Sequence, residues 1–81
     1  MPRIAGTDEY YRSIEREMEQ RCIDDWREAE IEMLYRVIRS MRLTDGKTHR
    51  EIQDHLEKVW GLKQGAYRRR LEKVRQRYVV P

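Results

Sequence analysis

The sequence predicts an all-α protein: an N-terminal helical extension followed by a tri-helical bundle. Three features of the 81 residues point there. Apolar positions from Tyr11 to Met41 step by three or four without interruption, the spacing of one helix face. No Pro or Gly occurs between Asp8 and Leu43. Beyond that, Gly46 and Gly61 punctuate two further segments of helical period.

Residues 1–6 have no periodicity, contain Pro2 and Gly6, and read as a mobile arm. Thr7 or Asp8 is placed to cap a helix, and Asp8 and Glu9 suit the positive end of its dipole. The stripe then runs Tyr11, Ile14, Met18, Cys22, Trp26, Ala29, Met33, Val37, Met41. One unbroken helix over this span would be about 50 Å long. The stripe changes width midway. It is narrow to Cys22, then Ile31, Leu34, Tyr35 and Ile38 widen it on both sides. Asp24 and Asp25 stand at the change, and Asp25 with Glu28 has capping-box spacing. One helix or two, with a break at 22–25, are both compatible with the residues. Residues 7–23 cannot pack fully alone, so they either fold back or pair with a second copy. The uninterrupted stripe leads us to expect a homodimer through residues 8–42. Cys22, on that stripe, is expected to be buried packing.

Thr44, Asp45, Gly46 and Lys47 form a turn signal. Thr48 and Glu51 then have capping-box spacing, opening a helix whose apolar face is Ile52, Leu56, Val59 and Trp60. Gly61 is placed to end that helix in a left-handed conformation, with Leu62 folding back on its last turn. Residues 63–65 lead into the last helix. There Tyr67, Leu71, Val74 and Tyr78 recur at i, i+4, i+7 and i+11. Val79, Val80 and Pro81 follow, apolar and of no fixed place.

Charge is divided along the chain. Residues 1–43 hold eight Arg against ten acids, a balance of −2; residues 44–81 hold ten bases against five acids, a balance of +5. From Lys63 to Arg77 there are seven bases and one acid, Glu72. A helix clamped along one face and basic elsewhere is what docking onto a polyanion requires.

Helix, glycine turn, basic helix, preceded by a helix wide enough to hold both, is the tri-helical helix-turn-helix arrangement over residues 24–81. At Glu51 and Ile52, and again over Gly61-Leu62-Lys63-Gln64-Gly65-Ala66-Tyr67-Arg68-Arg69-Arg70-Leu71, the chain resembles the DNA-reading region at the C-terminus of bacterial sigma factors and response-regulator output domains. In that family a Glu-Ile pair opens the scaffold helix, and a Gly-aliphatic step leads to a basic run ending in Leu. The resemblance covers roughly 30 residues and departs in two places. Glu57, Lys58, Val59 and Trp60 add about one helical turn before Gly61, and Tyr67 stands where a smaller aliphatic is usual. It implies sequence-specific binding of double-stranded DNA by a small bacterial or phage-like transcriptional regulator, with a recognition helix at about residues 65–78 in the major groove.

Helix phase then sorts the side chains. With Tyr67, Leu71, Val74 and Tyr78 inward, Arg69, Lys73 and Gln76 point away, and Arg68 lies on a flank. We assign Arg68, Arg69, Lys73 and Gln76 to base edges. Lys63, Gln64, Arg70, Arg75 and Arg77 are assigned to phosphates, with Lys47, Thr48, His49 and Arg50 as a second backbone anchor. Glu72, outward among these bases, argues against deep insertion at that point.

Two other uses of the basic helix stay open: an RNA-binding or ribosome-associated protein reading shape, and a protein-interaction adaptor whose basic helix is only solvated. No enzyme chemistry, cofactor or metal is expected. His49 and His55 are six apart and diverge on one helix. A single cysteine excludes an intrachain disulfide, and the chain reads as cytoplasmic with no membrane partner.

Overall fold

The computed structural model describes residues 6–81. The mobile arm expected at residues 1–6 thus lies outside the described residues except for Gly6, and so does Arg3. Four helices follow in order: α1 Asp8–Arg21, α2 Trp26–Leu43, α3 His49–Trp60 and α4 Gln64–Arg77. No strand occurs among the described residues.

The long stripe breaks where the acids stand. α1 starts at Thr7, whose hydroxyl accepts from the Tyr10 amide at 3.4 Å. It ends at Cys22, in the left-handed region with φ of 54°. The Ile23 amide closes the end by donating to the Met18 carbonyl at 3.0 Å. α2 starts at Asp25, whose carboxylate accepts from the Arg27 amide at 2.9 Å. Glu28 does not complete the expected capping box there; its carboxylate goes to Arg77 of α4. Cys22 is exposed, which corrects the expectation of burial. A residue in the left-handed region leaves the helix phase, so Cys22 no longer continues the stripe.

α3 opens with the full capping box: the Thr48 hydroxyl accepts from the Glu51 amide at 3.2 Å, and the Glu51 carboxylate accepts from the Thr48 amide at 3.0 Å. It ends at Gly61, φ 68°, with the Gly61 amide donating to the Glu57 carbonyl at 3.0 Å and the Leu62 amide to the Leu56 carbonyl at 3.3 Å. Leu62 is fully buried, the fold-back the sequence anticipates.

One core joins all four helices. Tyr10, Tyr11 and Ile14 of α1 meet Met33, Leu34 and Ile38 of α2, Ile52 and Leu56 of α3, and Tyr67, Leu71 and Val74 of α4. So residues 7–23 are not an appendage. α1 folds back, and Tyr11 and Ile14, part of the stripe expected to join two copies, lie inside the chain's own core. Its N-terminus also braces the α3–α4 turn. The Thr7 amide donates to the Trp60 carbonyl at 2.8 Å, and the Tyr10 ring sits 5.4 Å from that of Trp60.

Two carboxylates are buried in this small core. Glu30 accepts from the Tyr10 hydroxyl and from Arg70 Nε, the latter at 2.9 Å. Glu17, 1% exposed, lies between Arg21 Nε at 2.8 Å and the guanidinium of Arg36. Paired and hydrogen-bonded on two sides, each satisfies the condition under which a charge is tolerated inside a protein.

A candidate nucleic-acid interface

The basic helix is held to the rest of the protein by apolar contact and by charge. Tyr67, Leu71 and Val74 are buried, and Tyr78 is half-buried with its ring stacked 4.1 Å from Tyr35 of α2. Along the same flank, α2 presents three carboxylates to α4. Arg70 pairs with Glu30, Arg77 with Glu28 and Glu32, and the Tyr78 hydroxyl donates to Glu32. These contacts shift the groups involved. Burial, then the Glu30 charge, raises the Tyr10 phenol far above its ordinary value. The hydrogen bond to Glu32 raises Tyr78, and Arg77 lowers Glu28.

Two of the residues expected at phosphates are engaged within the chain. Arg70 and Arg77, expected at phosphates, are tied to α2 carboxylates, and the Arg70 side chain is only 14% exposed. They are seven residues apart, so helix phase puts both on the flank that α2 covers.

The other predicted contacts divide cleanly. Arg68, Arg69, Lys73 and Gln76, expected at base edges, are exposed and have no hydrogen-bond or ion-pair partner among the described residues. Lys63, Gln64 and Arg50 share that condition. Arg75 is also exposed and without an ion pair among the described residues; its charge acts on the Tyr67 phenol. The exposed side of α4 and the first turn of α3 thus form one surface in which five cations of the α4 segment stand without a carboxylate partner.

The second anchor is less available. The Thr48 hydroxyl serves its cap. His49 Nε2 donates to the Pro81 main-chain oxygen at 2.9 Å, and Arg42 Nε donates to the same oxygen at 3.1 Å. Lys47 is partly buried and lies near Glu51, whose carboxyl is held below its ordinary value, first by the Thr48 amide, then by the Thr48 side chain. Pinning of the final residues by Arg42 and His49 carries no sequence signature that would have announced it.

α3 and α4 diverge from Gly61 around an open cleft of about 970 Å³. Arg50, Lys63, Arg68 and Arg75 line it, as do Asp54, Glu57 and Glu72. Two atoms of its lining residues are buried without any partner: the Tyr67 hydroxyl and His49 Nδ1. Burial raises the Tyr67 phenol, while the Arg75 charge opposes the rise.

Among the described residues no cluster of three His, Cys, Asp or Glu side chains could hold a metal ion. No described helix is long and apolar enough to cross a membrane. Comparison with known protein families, with characterised proteins and with solved structures finds no match for this chain.

Proposed function

We propose that this protein binds double-stranded DNA, with α4 as the recognition helix of a helix-turn-helix unit, and acts as a small transcriptional regulator of bacterial or phage-like style. One observation carries the proposal: the cations of α4 are sorted by side. Those on the α2 flank, Arg70 and Arg77, are neutralised by Glu30, Glu28 and Glu32. Those on the solvent side, Arg68, Arg69, Lys73 and Arg75, have no carboxylate partner among the described residues. A helix merely solvated by charge has no need of this sorting. A helix that must stay rigid while presenting positive charge to a polyanion does.

In this reading Arg69, Lys73 and Gln76 face base edges and Arg68 covers one flank. Arg50, Lys63, Gln64 and Arg75 meet the backbone. Arg70 and Arg77 act indirectly, by fixing the angle of α4. Dimerisation is not part of the proposal, since Tyr11 and Ile14 are internal.

The test is titration of labelled duplex DNA, duplex RNA and single strands at about 50 and 200 mM salt. The expected result is preference for duplex DNA, with log K falling against log salt at a slope of about −0.9 per phosphate neutralised. Absence of duplex DNA binding at the lower salt concentration would overturn the proposal.

A further inference from the structure

Glu72 is the one acid between Lys63 and Arg77. It is exposed, and its carboxylate has no hydrogen-bond or ion-pair partner among the described residues. Cations surround it. Arg68, Arg69 and Arg75 stand at i−4, i−3 and i+3, the spacings at which a carboxylate and a guanidinium can meet on a helix. By contrast, the three carboxylates that α2 presents to α4, Glu28, Glu30 and Glu32, are all engaged by Arg70 or Arg77. On the α2 flank acids neutralise bases. On the outward side an acid stands apart from the bases next to it.

Its position matters once α4 lies against DNA. Helix phase sets Glu72 between the outward row Arg69, Lys73 and Gln76 and the pair Arg68 and Arg75. Arg68, Glu72 and Arg75 all line the α3–α4 cleft. With α4 in a major groove, phosphates run along both walls and repel a carboxylate. On the groove floor, amino groups attract one: cytosine N4 and adenine N6. Adenine places its N7 acceptor beside the amino group, and an ionised carboxylate, which can only accept, is repelled there. Cytosine presents its donor with no acceptor of its own in this groove. An acceptor-only side chain therefore tells the two apart.

We propose that Glu72 is a specificity-determining residue whose carboxylate accepts a hydrogen bond from the N4 amino group of one cytosine in the major groove. This rests on the DNA reading above and names a base that the recognition helix selects. The same carboxylate acts against other sequences. Where no amino group meets it, it stays unpaired among phosphates, and affinity for that duplex falls. Lys63, Arg68, Arg69, Lys73 and Arg75, all without a carboxylate partner among the described residues, attract any duplex alike. One acid placed among them lowers that common attraction and is compensated at the matching base alone, so the ratio of specific to non-specific binding rises. Arg69, one turn before Glu72 and exposed, has a donor fork suited to guanine O6 and N7. Acceptor and donor on adjacent turns thus favour a site that holds both cytosine and guanine.

The test uses the full chain and a randomised duplex DNA library at about 50 mM salt. The parent should prefer cytosine at one position by about tenfold. Glu72→Ala should lose that preference, keep the others, and bind unrelated duplexes more tightly than the parent does. Glu72→Gln should turn the preference at the same position toward adenine, whose N6 and N7 match an amide. Methylation of the selected cytosine at N4 replaces the amino hydrogen that faces the major groove. It should weaken the parent about tenfold and leave Glu72→Ala unaffected. Thermal unfolding of Glu72→Gln should match that of the parent, which separates a lost contact from lost structure. If Glu72→Ala keeps every base preference and only binds all duplexes more tightly, Glu72 is a solvated charge. This inference then falls while DNA binding stands. If the parent binds no duplex DNA, both fall.

Discussion

Arg70 Nε lies 2.9 Å from the Glu30 carboxylate, and the Tyr10 hydroxyl donates to the same oxygen. Glu30 therefore links α1 to α4, helices whose backbones make no contact of their own. Removing it strands a guanidinium and a phenol in the interior. Glu30→Ala is expected to destabilise the protein by about 3–5 kcal/mol, the cost typical of breaking a buried pair. Glu30→Gln, which still accepts from Tyr10, should cost less. Urea midpoints of the two variants provide the check, and equal losses would show that the charge is irrelevant.

Gly61 answers to two constraints at once. Its φ of 68° favours glycine, and a Cβ would meet Thr7 Cγ2 at 3.0 Å. Gly61→Ala should destabilise by about 1–2 kcal/mol from the backbone alone, and by more from the contact. Thr7→Ser keeps the capping oxygen and removes the methyl. Part of the loss should be recovered in the Gly61→Ala, Thr7→Ser double variant, measured as a thermodynamic cycle. Strict additivity would mean that Thr7 is not the obstacle.

Gly65 behaves oppositely. It is exposed, helical, and without a tight neighbour for an added Cβ. Gly65→Ala is expected to stabilise the free protein by about 0.5–1 kcal/mol through helix propensity. No side chain caps that end of α4, and Lys63 and Gln64, proposed to meet the DNA backbone, adjoin it, so duplex DNA binding should weaken as thermal stability rises.

Alkaline stability follows from three phenols. Tyr10, Tyr67 and Tyr78 are all raised from the ordinary 10.0. Their folded forms hold protons that the unfolded chain releases. Stability is thus full below about pH 10 and falls as pH rises above it. Urea midpoints measured from about pH 8 to about pH 11 should decline, and less steeply in Tyr10→Phe. The acid side runs the other way. Glu28 and Glu51 are held below 4.5, so what they contribute is present at neutral pH and lost as pH falls through their lowered values.

Arg69→Ala should relax base preference in a duplex library, because its guanidinium is exposed and without a partner among the described residues. Arg77→Ala should leave base preference intact, since Arg77 is engaged by Glu28 and Glu32. Equal, sequence-independent losses from both would move the contact face away from the outward side of α4.

The helix ends were legible because their chemistry is local. Thr48 with Glu51 and Gly61 with Leu62 each form a motif within a few residues, and each folds as its spacing predicts. The inward row of α4 was legible for the same reason. The fates of Arg70 and Arg77 were not, because their partners lie 40 and 49 residues away on α2 and only packing brings them near. A weaker signal was present. Glu30 interrupts the row Trp26, Glu30, Leu34, Ile38, spaced at four, and Glu17 follows Tyr10 and Ile14 at helical spacing. A lone acid inside an apolar row marks a buried charge that requires a basic partner. Cys22 was misplaced because the stripe extends through it on paper, whereas its left-handed backbone ends the helix there.

The brace between Thr7 and Trp60 bears on what counts as the portable unit. Residues 24–81 look self-sufficient as a three-helix module, yet the outer side of their central turn is covered by Gly6 and Thr7. Detached from α1, that module would expose the part of the α2 core face that α1 covers, and would leave Glu30 with one partner in place of two. Grafting it onto another protein would therefore transfer the basic helix without the segment that braces the turn before it. A piece moved intact has to include Gly6 and Thr7 together with α1.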